Sequence, residues 1–503
     1  GTKIKKGDEI AEIANYPENG NWAPHLHFQI MLSTLNYKID FPGVCYYNQI
    51  DVWKGLCPNP NLLFKSVDLN YTNDKSDDEL INYRKKHLGK SLKLHYEEPI
   101  NIVRGEGVYL ISKNGRKYLD TINNVAHVGH ENESVVIEGQ NQMSILNTNS
   151  RYLHKSINEL AEEIIQTLPE KLNVIHFVNS GSEANELAVR MMKSHTGSND
   201  IIVSENGYHG NTNICVDISS YKFDGKGGKG APENTHVIPM PTKFNGKHKG
   251  EEACEGYINE IKNSIKNLKS KNRDLGGFII EPIISCGGQV ELPDGFLKTA
   301  YDLIRENGGI CISDEVQVGC GRLGESFWGF ELHDVIPDII TIGKPLGNGH
   351  PIGAVVCTSE IAESFANGME FFNTFGGNPV SCSIATQVLK VVKNENLQKN
   401  AKTIGNYFKN ELKNLSDKYD IIGDVRGQGL FLGIEFVDHK MNPLFRETKY
   451  IVNRLKDFGI LASLDGPNNN VIKIKPPLIF NKDNCDTFIF YLNKILEEDF
   501  VNK

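Results

Sequence analysis

The chain has 503 residues, 39% hydrophobic and 23% charged, the composition of a soluble globular protein long enough for two or three lobes. A formal net charge of −9 argues against a nucleic-acid or anionic-membrane surface as the main partner, and no apolar run approaches the roughly 18 residues of a membrane span. Ten scattered cysteines without a CxxC pair predict reduced thiols in the cytoplasm rather than a disulfide framework.

The chain begins at Gly1 rather than Met, so a piece of a longer product is expected. Residues 1–65 read as a short all-β module. GTKIKKGDEIAEI alternates around a Lys-Gly-Asp turn, and NWAPHLHFQIML puts His25 and His27 on one face of a strand. The polar stretch SVDLNYTNDKSDDEL marks a boundary, and a second domain is predicted over 76–503. Apolar strands are predicted at 174–178, 201–204, 278–280, 310–313 and 339–342, with helices at 183–194, 256–268 and 296–306. That alternation predicts an α/β fold with a mostly parallel sheet covered on both faces, its large part spanning about 125–385. A helical stretch over 389–415, a strand-like DVRGQGLFLGIEF and a helix over 487–497 predict a smaller α+β lobe, about 386–503.

Chemistry gathers where the predicted strands end. In SGSEANE, Gly181 lets the backbone approach a ligand, Ser182 offers a hydroxyl, and a helix N-terminus supplies free N–H groups for a phosphate. The same turn reads equally as a helix cap, because Glu183 and Glu186 follow Ser182. Asp314 ends another run beside Glu315 and Gln317. Next to a pyridine nitrogen such an acid keeps the nitrogen protonated, although a DE pair also suits Mg²⁺. Lys344 follows the run 339–342 and Gly343. A surface lysine is the ordinary reading, while Schiff-base chemistry needs it deprotonated by burial. Tyr208 is either a packed loop residue or a ring that lies on a flat cofactor. A lysine, an acid and a phosphate-holding turn are together the needs of a pyridoxal phosphate site.

The ordered motifs SGSEANE, YHG, DEVQ, GKPLGNG and NTFGGNP resemble the class III aminotransferases, pyridoxal phosphate enzymes of fold type I, over roughly residues 80–500. The resemblance implies a large domain with a mostly parallel sheet and a smaller C-terminal lobe. It implies that Lys344 forms the Schiff base and shuttles the proton, that Asp314 pairs with the pyridine nitrogen, and that Gln317 contacts the ring 3-hydroxyl. Val316 and Tyr208 are implied to flank the ring, and Gly181 and Ser182 to hold the phosphate. Thr374 is implied to reach the phosphate of a neighbouring subunit, hence a homodimer with shared sites.

Within that family, TNSRYLH, ISSYKF, SCGGQV, DEVQVGCGR, GNPVSC and DGPNNNVIKIKPPLIF resemble the ethanolamine-phosphate and phosphohydroxylysine phospho-lyases, near the alanine–glyoxylate type 2 branch. Many class III transaminases carry an arginine just before the Pro-Pro pair, where it grips the substrate carboxylate. Lys473 stands there in this chain, with Lys475 nearby. A lysine lacks the bidentate fork, which favours an amine whose anion is a phosphate, or one lacking a carboxylate. Lys222, Lys226 and Lys229 of a basic, glycine-rich loop either add phosphate contacts or remain solvated. The N-terminal module resembles the C-terminal half of a lysostaphin-type zinc peptidase, with His27 as ligand and His25 as catalytic histidine. The family's other two zinc ligands are absent, so no metal site is assigned.

The expectation is a pyridoxal phosphate-dependent transaminase-family enzyme acting on a small amine or amino acid. Its alternatives are phosphate elimination from a phosphorylated amine such as phosphoethanolamine, and a zinc hydrolase with a non-catalytic C-terminal scaffold.

Overall fold

A computed structural model describes residues 75–501. The expected N-terminal hairpin and the His25/His27 pair lie outside the described residues. By its contacts the chain divides into two compact units, Gly1–Lys93 and Leu94–Lys503. In the first, the helix Asp77–His87 is set by a capping box: the Ser76 hydroxyl accepts from the Glu79 N–H, and the Glu79 carboxylate accepts from the Ser76 N–H.

The second unit is organised by a seven-stranded sheet in the order Val174–Val178, Gly353–Cys357, Ile339–Ile342, Ile310–Asp314, Leu275–Ile280, Asp200–Ser204 and Thr235–Ile238. All neighbours run parallel except Gly353–Cys357, which is antiparallel to both of its own. The five expected strands are all present. Two strands of this sheet had no counterpart in the sequence reading: the edge strand THVI is short and half polar, and GAVVC gives no sign of its reversed direction.

The central strands are buried along their whole length because helices cover both faces. Successive residues therefore feed two different cores. Ile339, Ile312, Ile279 and Val203 pack with Leu187, Ala188 and Met191 of helix Gly181–Thr196. Ile340, Ile342, Phe278 and Ile202 pack with Ile261 of helix Ala253–Ser270 and Tyr301 of helix Phe296–Glu306.

A four-stranded antiparallel sheet, Ile422–Gln428, Phe431–Phe436, Val471–Ile474 and Ser463–Asp465, forms the C-terminal part with helices Leu397–Lys418, Phe445–Asp457 and Lys482–Leu496. The stretch expected to be one helix over 389–415 is two. Helix Pro379–Asn394 ends, and Asn396 turns through a left-handed conformation (φ 53°) that an asparagine tolerates before Leu397–Lys418 begins. A further sheet joins Ile102–Glu106, Tyr109–Ser112 and Lys117–Asp120 to the short strand Ile460–Leu461, so Val108 and Leu119 share a core with the C-terminal helices. Among the described residues no helix is long and apolar enough to cross a membrane.

Candidate active site

Three strand ends converge on one cavity. Asp314 closes its strand in register with Thr341 of the next, so Lys344 follows three residues later on the turn Lys344–Gly347. Helix Gly181–Thr196 starts just beyond Val174–Val178. Between them lies a cavity of about 370 Å³ lined by Gly181, Ser182, Tyr208, Asp314, Val316, Gln317 and Lys344, among others. Two candidates fall outside that lining. Thr374 is exposed on the loop before helix Pro379–Asn394, and Lys473 lies on strand Val471–Ile474.

The phosphate-type turn differs from the capping reading in one respect. The cap is Ser180, whose hydroxyl accepts from the Glu183 N–H at 3.2 Å, a contact worth about 1 kcal/mol. Ser182 sits inside the first turn, and its Oγ accepts from the Asn211 N–H at 3.1 Å, leaving its own hydrogen to donate. The N–H groups of that turn have no intrahelical acceptor, so an anion suits them. Two glycines keep the floor low. A Cβ on Gly181 would meet Val316 Cγ1 at 2.7 Å, and one on Gly210 (φ +136°) would meet Ser182 Oγ at 2.6 Å.

Asp314 is buried, and its Oδ2 accepts from Asn185 Nδ2 and His209 Nδ1, each at 2.8 Å. Asn185 Oδ1 and His209 Nε2 are buried without a partner among the described residues. The sequence reading passed over Asn185 and His209, although both lie inside the quoted motifs SGSEANE and YHG. Glu281 was also missed. Burial, then the nearby Asp314 charge, pushes its carboxyl up to about 7. Glu315, just past the strand's end, is turned away from the cavity by its own partners. Its carboxylate accepts from the Gly329 and Phe330 N–H groups at 2.6 and 2.9 Å, which removes it from any Mg²⁺ role beside Asp314.

Burial pulls the Lys344 amine below its usual value, with Asp314 opposing, and the residue forms no ion pair among the described residues. This favours the neutral amine that Schiff-base chemistry requires. Lys473 Nζ lies 3.4 Å from Asp465 Oδ2. Burial opposes its charge, but the Asp465 carboxylate together with Cys286 and Tyr221 more than offsets it, and the value is raised. Lys475 is fully buried and pulled down to about 7 by burial and by its neighbours Lys473 and Lys344. Tyr208 meets Tyr221 edge-on at 5.7 Å, and Lys222 Nζ lies 5.3 and 5.7 Å from their ring centroids. Lys226 and Lys229 are exposed.

This donor set fits a phosphorylated pyridine aldehyde: a helix start and a free hydroxyl for the phosphate, a buried acid, and a lysine poised for deprotonation. The fold and cavity define a pyridoxal phosphate enzyme of fold type I. The sequence model described as aminotransferase class-III matches residues 93–496, and the chain belongs to that family. It is 44% identical over 431 residues to the alanine–glyoxylate aminotransferase 2-like protein of Drosophila melanogaster, covering 84% of this chain and 87% of that one. It is 37% identical over 440 residues to ethanolamine-phosphate phospho-lyase homolog 1 of Caenorhabditis elegans, covering 84% and 94%. A solved phospholyase from Arthrobacter in complex with phosphoethanolamine superposes with a TM-score of 0.80 at 35% identity, over 83% of this chain and 99% of that one. The family depends on pyridoxal phosphate, which when bound supplies an electron sink for reactions at an amine-bearing carbon.

Proposed function

We propose that the chain removes phosphate from a small phosphorylated amine. The observation that carries this reading is the pair Lys473, on strand Val471–Ile474, and Lys475 just past its end, both close enough to influence Lys344. Asp465 keeps Lys473 charged, and no arginine lines the cavity. The Lys473 ammonium, with no planar fork to offer, suits a phosphate better than the bidentate recognition of a carboxylate. The likeness to two phospho-lyases supports the same reading.

In this reading Gly181 and Ser182 hold the cofactor phosphate, Asp314 faces the pyridine nitrogen, and Val316 and Tyr208 flank the ring. Gln317 faces the 3-oxygen, and Lys344 carries the cofactor and moves the substrate proton. Lys473 takes the substrate's anion. The test is incubation with phosphoethanolamine, with and without pyruvate. Release of phosphate, ammonia and an aldehyde without a keto acid supports elimination, and pyruvate-dependent turnover without phosphate release overturns it. Transamination is the second reading, favoured by the alanine–glyoxylate aminotransferase 2-like relative.

The active unit is proposed to be a homodimer in which Thr374 reaches the neighbour's cofactor phosphate. Supporting this, Ile145 (77% exposed), Tyr152 (66%) and Phe375 (68%), the last beside Thr374 in the chain, leave large apolar side chains in the open. The segments of Tyr152 and Thr374 are tied together by Arg151, which pairs with Glu370 at 2.9 Å and stacks 3.9 Å from the Phe372 ring centroid. We further propose a cofactor-binding part over about 125–385 and a small lobe over about 386–503. The described cysteines are all unpaired, which supports a cytoplasmic location.

A further inference from the structure

The orientation of the Gln317 side chain is fixed by its neighbours. Asn124 Nδ2 lies 3.4 Å from the Gln317 backbone oxygen and 2.8 Å from Gln317 Oε1. A backbone carbonyl only accepts, so it is the nitrogen of Asn124 that faces Gln317. Gln317 must then present its oxygen to Asn124. Lys475 Nζ, 3.3 Å from the same Oε1, donates as well. With two donors on its oxygen, Gln317 has only Nε2 left for a ligand. That nitrogen has no partner among the described residues, and Gln317 lines the cavity.

The two donors are themselves braced. Arg322, fully buried, donates through Nη1 to the Pro476 and Leu430 carbonyls at 2.7 and 3.1 Å. Through Nη2 it reaches the Asn124 carbonyl at 3.5 Å and His127 Nδ1 at 3.2 Å. The Lys475 N–H also donates to the Thr121 carbonyl at 2.7 Å. One guanidinium thus holds the segments that carry Asn124 and Lys475 against each other, with Gln317 between them.

We infer that Asn124 and Lys475 are positioning residues that lock Gln317 as a hydrogen-bond donor, so the cavity offers the cofactor ring oxygen a donor and favours its deprotonated form. This rests on Gln317 facing the ring 3-oxygen and is independent of whether phosphate elimination or transamination follows. Lys475 acts on that oxygen only through the amide and through its charge. Its charged and titratable neighbours are Lys473, Lys344, Asp465 and Cys286.

The test is a pH titration of the visible absorbance of the purified holoenzyme. Lys475→Met keeps the length of the side chain and removes a buried charge, so the fold is retained. Lys475→Met and Asn124→Ala are expected to move the absorbance midpoint upward by about one pH unit and to enlarge the short-wavelength band of the protonated ring oxygen. Gln317→Ala should give a similar shift, and Asn124→Ala added to it should give no more. Wild-type midpoints in both single variants with cofactor still bound, or full additivity in the double variant, would overturn the inference. A wild-type protein without a cofactor band would overturn the cofactor reading and this inference together, whatever the phosphate assay gives.

Discussion

His209 Nδ1 stands 2.8 Å from Asp314 Oδ2, with both side chains buried. The contact leaves Asp314 Oδ1 for the Val316 N–H at 3.1 Å and fixes the tilt of the carboxylate toward the cavity. Removing a partner of a buried carboxylate costs about 1–3 kcal/mol. His209→Ala is therefore expected to weaken cofactor binding by roughly 10–100-fold, measured by equilibrium dialysis. Unchanged affinity would detach His209 from the cofactor's hold.

Lys344→Ala should abolish turnover and the absorbance of the lysine-bound cofactor while circular dichroism and oligomeric state stay as in the wild type. Among the described residues the amine has no ion pair to lose, and burial holds it against its own charge, so its removal is not expected to unfold the chain. An unchanged spectrum would place the covalent link elsewhere.

Lys473→Arg keeps a cation beside Asp465 but supplies a planar fork. The ratio of kcat/KM for a phosphoamine to that for an α-amino acid is expected to fall about tenfold. Lys473→Ala should raise KM for the phosphoamine more than it raises the cofactor's Kd. Equal effects on both would remove Lys473 from the substrate's side of the cavity.

Lys475 makes a pH prediction. Its folded value of about 7 lies below the ordinary 10.5. Between these values the unfolded chain binds the extra proton, so stability rises with pH through that window and the burial penalty is fully present below it. Lys475→Met should therefore stabilise the cofactor-free protein at pH 6–7 by an amount on the order of 1–3 kcal/mol, read as a raised melting temperature. The gain should shrink toward pH 10. A gain independent of pH would show that packing, not charge, separates the two proteins.

Phe375→Asp is expected to turn the dimer into a monomer by sedimentation, because it puts a charge in place of an exposed aromatic ring beside Thr374. Thr374→Ala should keep the dimer and weaken cofactor binding. A monomeric wild type would end the shared-site reading.

Much of this was legible because burial on both faces turns a strand into an uninterrupted apolar run, and such runs stop visibly at Ser180, Asp314 and Gly343. What stayed hidden has physical reasons. Strand direction leaves no mark in composition, so the reversal of Gly353–Cys357 could not be read. Asn185, His209 and Glu281 matter through contacts with Asp314 or its neighbours, and polar residues inside motifs look alike until the partners are in place. Asn124 and Lys475 lie 193 and 158 residues from Gln317, and nothing local announces that they meet on one amide. The N-cap shifted from Ser182 to Ser180 because both are serines two residues apart, and only the Glu183 N–H decides between them.

The reversed strand has a consequence for biosynthesis. Val178, just ahead of the anion-binding turn, finds its sheet partner in Gly353. A Cβ on Gly353 would meet the Ser180 carbonyl oxygen at 2.7 Å and that of Ile342 at 3.0 Å, so its backbone is wedged between the two turns that carry Ser182 and Lys344. The turn at Ser180 therefore waits on the ribosome for some 175 further residues before its flank is closed, a long loop to bring together late. A nascent chain released before Cys357 has both turns in its sequence and no wall between them, so cofactor capture belongs to the finished polypeptide rather than to its growing end.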